Sequence, residues 1–358
     1  MPRSAGAPCQ RGLHKVIGRI VLSDDVVHRV AICGTDVEFD VTEGERILGG
    51  AIRAGVWVPF ECGWGSCGTC KMTLLEGEVE TLFAAAPSIT PRDARRARIL
   101  ACQSAPLTDV VVKPTWVEAS PRDGFATQRC VAELTQRDEI GPAIFQLRFA
   151  LDRSLAFHEG QHAIIDLGHG LRRCYSMSNL SMSGGHDSTE VEFIMKRYRG
   201  HAGSEAVSGL LPGSRVKIEM PYGEMWIRDT DATACLVAGG TGIAPILGML
   251  RRLVADGEGR PVRVVYGANI RDELVCWEEL ASLIGQLPDA ELVGALMTPH
   301  LGWCGIEGLV THALESMLDD LRSAEFYIAG PPVMTNSVRT LLSDNEIQLS
   351  RIHYDSFG

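Results

Sequence analysis

Four cysteines are the first residues in this chain with a clear chemical use. Cys62, Cys67 and Cys70 have C-x4-C-x2-C spacing within Cys62-Gly63-Trp64-Gly65-Ser66-Cys67-Gly68-Thr69-Cys70, and Cys102 follows in Leu100-Ala101-Cys102-Gln103. Thiolates bind the irons of iron–sulfur clusters, and this spacing with a distant fourth cysteine is that of a [2Fe–2S] site. The small residues of the loop let the backbone wrap closely and aim N–H groups at sulfur, which favours the more negative reduced state. Structural zinc sites use two separated C-x2-C pairs, and the sequence has one. The seven other cysteines have no ligand spacing and are expected to be buried apolar fillers.

A second candidate fails on its own context. His158-Glu159-Gly160-Gln161-His162 matches H-E-x-x-H, which needs a helix to aim both histidines at one zinc. Gly160 interrupts it and Ala163–Leu167 continues as a strand, so a turn entering a strand is expected and a protease is rejected.

Three further motifs suit anions and rings. Arg173-Cys174-Tyr175-Ser176 ends a strand with a guanidinium for phosphate, an aromatic face for stacking and a hydroxyl for a ring nitrogen. Gly200-His201-Ala202-Gly203-Ser204 opens a helix, where exposed N–H groups bind phosphate, although an ordinary capped helix reads the same way. Val237-Ala238-Gly239-Gly240-Thr241-Gly242-Ile243-Ala244-Pro245 is a strand, a tight turn and a helix, where a pyrophosphate can approach the backbone.

The elements that must position these motifs fall into three textures. Short strand-like runs such as Val37–Val41 and Val110–Val112 surround the cysteine loop. Alternating segments at Ala143–Ala150, Ala163–Leu167 and Val191–Lys196 predict an antiparallel barrel. From Ala234 onward, strand candidates Cys235–Ala238, Val262–Tyr266, Leu292–Met297 and Phe326–Ala329 alternate with helical stretches, as in a parallel α/β sheet. The expected division is an N-terminal extension over 1–26, an α+β domain around the cysteine loop over 27–114, a linker over 115–126, an antiparallel β-barrel over 127–231 and an α/β domain over 232–358. Val16–Leu22 could add a strand to the first domain.

Composition agrees with this multidomain reading. The 358 residues allow two to three domains, 45% are hydrophobic, and the net charge of −11 argues against nucleic acid as a partner. The polar start Met1–Lys15 does not read as a secretion signal, and the uncharged run Ala232–Leu250 is broken by glycines and Pro245 as a buried strand-turn-helix. A protein of the reducing cytoplasm with no membrane span, and a monomer, is expected.

The cysteine loop and Leu100-Ala101-Cys102-Gln103 resemble plant-type ferredoxin, whereas R-x-Y-S and G-x-x-x-S resemble the ferredoxin–NADP reductase family. The resemblance implies that Arg173 binds flavin phosphate, that Tyr175 and Ser176 contact the isoalloxazine and ribityl chain, with Ser176 near flavin N5, and that Ile194 and Lys196 line the ring. It also implies that Ala202, Gly203 and Ser204 hold the pyrophosphate and that Phe357 covers the flavin. For the nicotinamide coenzyme it implies Gly239, Gly240, Thr241, Gly242 and Pro245, then Ala329, Gly330 and Pro331 in place of the family's C-G-P. Hydride transfer needs no protein nucleophile, so activity should survive the loss of that cysteine to Ala329. The second-strand loop carries Arg271, Asp272 and Glu273; acids near the ribose favour NADH, so Asp272 is assigned to NAD.

The order of the modules resembles the NADH-dependent reductase components of bacterial Rieske or diiron oxygenases. It implies FAD, a [2Fe–2S] cluster and NADH, with electrons passed to a terminal oxygenase or its small ferredoxin. A deoxysugar-biosynthesis reductase and a redox-sensing regulator are the alternatives, and a sodium-pumping quinone reductase subunit would need a membrane anchor. Trp64 could anchor the partner or pack on its own domain, and the acidic run Asp36, Glu38, Asp40, Glu43 and Glu45 could steer a basic partner or form a solvated face.

Overall fold

The structure is a computed structural model that describes residues 15–16, 26–60, 63, 65, 67–82, 86, 88–115, 125, 127–168, 171–181, 187–299 and 301–356. Cys62, Trp64 and Phe357 lie outside the described residues, as do nearly all of the expected extension and linker. Two compact units result, Met1–Thr127 and Gln128–Gly358.

The first unit contains β1 (Lys15–Val16), β2 (Val27–Ile32), β3 (Val37–Thr42), helix α1 (Ile47–Arg53), β4 (Lys71–Glu76), β5 (Val79–Thr81), helix α2 (Pro91–Ala94), β6 (Arg98–Leu100), β7 (Ser104–Pro106) and β8 (Val110–Lys113). Six strands form a mixed sheet in the order β1-β3-β2-β8-β4-β6, and β5 pairs with β7 as a separate ribbon. Helix α1 buries Ile47, Leu48, Ala51 and Ile52, and its Gly50 lets the helix touch β3: a Cβ there would lie 2.5 Å from Val41 Cγ2. Of the expected added strand at Val16–Leu22, only Val16 in β1 is described.

The second unit begins with β9 (Gln128–Gly141), β10 (Ile144–Ala156), β11 (His162–Asp166), β12 (Arg172–Ser176), β13 (Asp187–Lys196), helix α3 (Ala202–Ser208) and β14 (Arg215–Tyr222). The strands form an antiparallel sheet in the order β12-β11-β14-β9-β10-β13, and a bridge between Met177 and Phe193 joins its two edges. Alternate residues such as Leu147, Phe149, Phe193 and Ile218 fill the interior. The H-E-x-x-H letters fall on a turn and the start of β11, as expected, and their side chains diverge. His158 stacks on Trp226, Glu159 accepts from Ser181 and Arg252, and His162 faces Asp355 across 3.7 Å.

A fully parallel sheet follows, built from β15 (Ala234–Gly239), helix α4 (Ile243–Ala255), β16 (Val262–Ala268), helix α5 (Trp277–Ile284), β17 (Ala290–Leu296), β18 (Ile306–Glu307), helix α6 (Val310–Glu315), β19 (Glu325–Gly330), helix α7 (Pro332–Asp344) and β20 (Ile352–Ser356). Its order is β18-β17-β16-β15-β19-β20. Along β15, Leu236 and Ala238 enter the core under α4 and α5, whereas Cys235 and Val237 enter the core under α6 and α7. The chain runs from β15 through β16 and β17 to β18 on one side and then crosses back to β19 and β20 on the other, so the crevice that such sheets use for ligands opens where the strand order reverses, at the C-terminal ends of β15 and β19. Among the described residues no helix is long and apolar enough to cross a membrane.

Helix α4 ties the barrel to the parallel sheet. Its Gly248 approaches the barrel backbone: a Cβ there would lie 3.3 Å from the Met177 carbonyl and 3.4 Å from that of Ser178. Arg251 donates to the Ser178 carbonyl at 2.9 Å and to Glu192 at 3.1 Å, and Arg252 grips both oxygens of Glu159 at 2.9 and 3.1 Å. Burial alone would raise the Glu159 and Glu192 carboxyls, but the guanidinium and hydroxyl donors overcome it and hold both below their ordinary range. A carboxyl lowered in the fold stabilises above its unfolded pKa of about 4.3 and ceases to do so as pH falls through its folded value. Glu159→Gln, which removes the buried counter-charge of Arg252 and leaves it only the exposed Asp256 at 3.3 Å, should destabilise the second unit by about 3 kcal/mol at neutral pH. In thermal unfolding the gap from wild type should be constant between about pH 6 and 8 and narrow below about pH 4.5. A gap independent of pH down to acid would contradict this role.

Candidate functional site

The cysteine ligands are brought together by strand register. Lys71 of β4 pairs with Leu100 of β6, and the Ala101 N–H donates to the Cys70 carbonyl at 3.1 Å. Cys70 and Cys102 are therefore neighbours, both buried, with Sγ atoms 3.2 Å apart. Cys67 lies on the exposed side of the loop, and its sulfur accepts from the Thr69 N–H at 3.5 Å. Two of the four expected ligands thus meet, and among the described residues no three His, Cys, Asp or Glu side chains form a group. Gly63, Gly65 and Gly68 have φ of +62°, +105° and +74°, a backbone path that side chains disfavour and that turns the loop around the sulfurs. The residues fit a cluster: soft sulfur donors, a glycine loop and a backbone N–H directed at sulfur.

Sequence reasoning missed Arg46. It is 2% exposed and donates to the carbonyls of Gly63 at 3.1 Å and Cys102 at 3.4 Å, so it joins the two halves of the cysteine site. Its buried positive charge, set against the carbonyls of Gly63 and Cys102, would favour the more negative reduced state of a cluster held there. Nothing in its local sequence distinguishes it from a surface arginine at a helix start.

The two flavin motifs converge in the barrel. The Arg173 guanidinium lies against the start of α3, where a Cβ on Gly203 would be 1.9 Å from its Nε. Arg173 and the Gly203 backbone thereby form one cradle, with a charge and the first N–H groups of a helix side by side. Along β12, Arg172 to Tyr175 are only half-buried while Ser176 is buried, which leaves a strand face that a planar group can cover. Burial pushes the Tyr175 phenol up, so it is neutral, and its ring sits 6.3 Å from Phe193. Ile194 is buried on β13, where it joins the core under α4. Lys196 is engaged across the barrel edge, its ammonium paired with Glu273. Ala202 is exposed and Ser204 buried; the Ser204 hydroxyl accepts from the Tyr198 N–H at 3.0 Å and lies 3.1 Å from the His201 carbonyl. Ser204 therefore has its side chain committed to its own loop and offers its backbone.

The nicotinamide motifs meet at the crevice between β15 and β19. A Cβ on Gly242 would lie 2.2 Å from the Ala329 carbonyl, and one on Gly239 would lie 2.3 Å from Met334 Sδ. Gly330 closes on Gly239 from the other side, with a hypothetical Cβ 3.2 Å from the Gly239 nitrogen. Gly240 has φ of +54°, Thr241 is half-buried, Pro245 is buried in the first turn of α4, Ala329 is buried, and Pro331 is exposed at the start of α7. Asp272 is exposed in the turn after β16, and its neighbour Glu273 accepts from Asn269 at 3.3 Å as well as from Lys196. The motifs fit a dinucleotide, because small residues hold an open backbone path at a helix start.

One expectation needs correction. Of the cysteines assigned as buried fillers, Cys130 and Cys235 are buried, and burial pushes their thiols up to about 11 and about 12. Cys276 is half-buried and is likewise raised to about 11. Cys33 and Cys174 are half-buried, Cys9 lies outside the described residues, and Cys304 is exposed in the loop before β18. The turn Gly302–Trp303 buries the tryptophan face against Gly294 and Gly305 and leaves the neighbouring cysteine outward.

Comparison with known proteins follows the same division. Residues 30–107 match the 2Fe-2S iron-sulfur cluster binding domain family, residues 131–226 the oxidoreductase FAD-binding domain family and residues 236–340 the oxidoreductase NAD-binding domain family. The ferredoxin–NAD(+) reductase component of the alkene monooxygenase system of Xanthobacter autotrophicus is 34% identical over 331 residues, covering 89% of this chain and 97% of that protein. The reductase component of phenol 2-monooxygenase from a Pseudomonas species is 30% identical, covering 89% and 91%. Among solved structures, the ferredoxin reductase in carbazole 1,9a-dioxygenase superposes with a TM-score of 0.82 at 25% identity, covering 94% of this chain and all of that one.

The packing of Gly242 on Ala329 makes a direct prediction. Gly242→Ala should cost about 1–3 kcal/mol by overpacking, read as a lower thermal midpoint of the second unit. An unchanged midpoint would show that the turn and β19 do not depend on that approach.

Proposed function

This chain belongs to the NAD(H)-dependent iron–sulfur flavoprotein reductases of multicomponent mono- and dioxygenases, and from that premise we propose which residues serve each redox group and what receives the electrons. It is an electron-transfer reductase that moves electrons from NADH through FAD and a [2Fe–2S] cluster to an oxygenase. When bound, the flavin takes two electrons as a hydride and the cluster passes them on singly. Family membership sets aside the deoxysugar and regulator alternatives.

The residue roles are the following. Cys67, Cys70 and Cys102, with Cys62, hold the iron, and Arg46 binds the two loop ends that carry them. Arg173 and the backbone of Ala202, Gly203 and Ser204 hold the FAD phosphates; Tyr175, Ser176, Ile194, Lys196 and Phe357 surround the flavin. Gly239, Gly240, Thr241, Gly242 and Pro245 receive the coenzyme phosphates, Ala329, Gly330 and Pro331 border the nicotinamide, and Asp272 favours NADH at the ribose. The observation that carries this reading is the path of α4, which starts at the nicotinamide turn and seats Gly248 on the carbonyls that directly follow Ser176. One helix thus links the place where the nicotinamide is held to the strand end where the flavin is held.

The domain limits near residues 27–114, 127–231 and 232–358 are part of the same proposal, as are a cytoplasmic monomer and a Rieske or diiron terminal oxygenase, or its small ferredoxin, as acceptor. Cys102→Ser tests the order of carriers. It should remove the cluster's visible absorbance and lower cytochrome c reduction at least tenfold, while NADH still bleaches the flavin at the wild-type rate. Full cytochrome c reduction by a cluster-free variant would contradict the relay.

A further inference from the structure

We propose that the arginine-rich turn Arg92, Arg95, Arg96 and Arg98 is the docking surface for the electron acceptor, and that the acceptor presents a carboxylate-rich face around its redox centre. The inference rests on the reading of the chain as an oxygenase reductase and gives the partner a chemistry.

The first observation is charge against background. The chain carries a net charge of −11, yet between Ser88 and Arg98 it places four arginines against the single acid Asp93. All four arginines are exposed. Asp93 is turned inward: its carboxylate accepts from Thr90 Oγ1 at 2.7 Å and from Lys71 Nζ at 3.1 Å and lies 3.8 Å from Arg98, so it caps α2, holds Arg98 at the inner end of the turn and leaves the outer face to Arg92, Arg95 and Arg96. Four arginines and no lysine in this stretch favour a partner with carboxylates, which the guanidinium fork binds in pairs.

Position is the second observation. The turn is fastened to the cysteine loop at several points. Ser88 Oγ donates to the Gly65 carbonyl at 2.6 Å, and a Cβ on Gly68 would meet Ser88 Cβ at 3.1 Å and Lys71 Cε at 3.2 Å. Arg98 begins β6, which leads directly to Cys102. Strand β6 is one edge of the six-stranded sheet, whereas β3, which carries Glu38 and Asp40, lies toward the other. Electron transfer weakens steeply with distance, so an acceptor gains most by approaching the edge beside the sulfurs.

The acidic run lies elsewhere and two of its members are already engaged, while the exposed Asp36 and Glu43 flank β3, away from the β6 edge. Glu45 is buried and held by Arg53 at 2.7 Å and by the Thr42 N–H at 3.0 Å, and Glu38 lies 3.9 Å from Arg29. With its negative background and one positive edge, the ferredoxin unit is an oriented dipole that turns an acidic partner toward the cluster before contact.

The test uses the full-length holoprotein, excess NADH and two forms of one acceptor, native basic cytochrome c and its acidic succinylated derivative. Reduction of the succinylated form should slow about tenfold from low to high salt. The triple variant Arg92→Gln, Arg95→Gln, Arg96→Gln should lose about tenfold in that rate at low salt and most of the salt dependence, with native cytochrome c reduction equal or faster. The corresponding triple lysine variant should retain the salt dependence. Stopped-flow reduction of the cluster by the flavin should be unchanged in both variants, which also shows that they fold. Equal rates for the glutamine variant and wild type on the succinylated acceptor would overturn the proposal, as would a slowed flavin-to-cluster step. Failure of the wild type to reduce either cytochrome would instead overturn the reductase reading on which the proposal stands.

Discussion

The seat of α4 against the barrel is the constraint on which the rest of the second unit depends. A hydride moves only between atoms held almost in contact, so a chain that keeps its two nucleotide sites on different sheets must fix one sheet against the other. Here the fixing element is the same helix that begins at the Gly239–Gly242 turn. Gly248 removes the side chain that would hold the helix away from the Met177–Asn179 carbonyls. Arg251 and Arg252 then direct two guanidinium groups into buried carboxylates of the barrel, Glu192 and Glu159. Lys196 and Glu273 add a third bridge near the crevice.

Close backbone approach is the common device at the other sites. Arg173 lies where a side chain on Gly203 would be, and Gly239, Gly242 and Gly330 let β15, β19 and α7 close on one another. In the ferredoxin unit the positive φ values of Gly63, Gly65 and Gly68 do the equivalent work around sulfur. Each site trades side-chain packing for exposed backbone donors, and each is stiffened from outside by a charged residue, Arg46 in one unit and the α4 arginines in the other.

What could be read in the sequence was the chemistry carried by short segments. The cysteine spacing, R-x-Y-S and the glycine turn are local, because ligand type and backbone freedom are properties of a few consecutive residues. The same holds for the H-E-x-x-H letters, whose glycine predicted a turn that the structure contains. Partners across the fold were not legible. Glu159 and Arg252 are 93 residues apart, Arg46 and Cys102 are 56 apart, and no local pattern couples them. Strand lengths were read short for a physical reason. Strand β10 continues past Ala150 to Ala156, but its register shifts there, and the exposed Asp152, Arg153 and Ser154 break the alternation before Leu155 is buried again. Cys304 was misplaced because exposure at a turn depends on which neighbour the tertiary fold buries.

The central claim is a sequence of transfers set by this architecture, from nicotinamide to flavin across the α4 seat and then to the cluster. Rapid mixing of the holoprotein with NADH deuterated at the transferred position tests it most directly. The account predicts that the first absorbance loss is that of the flavin and is slowed by the deuterium, and that cluster bleaching follows with no isotope effect on its own step. Cluster bleaching that precedes the flavin change, or a flavin change with no isotope effect, would contradict it.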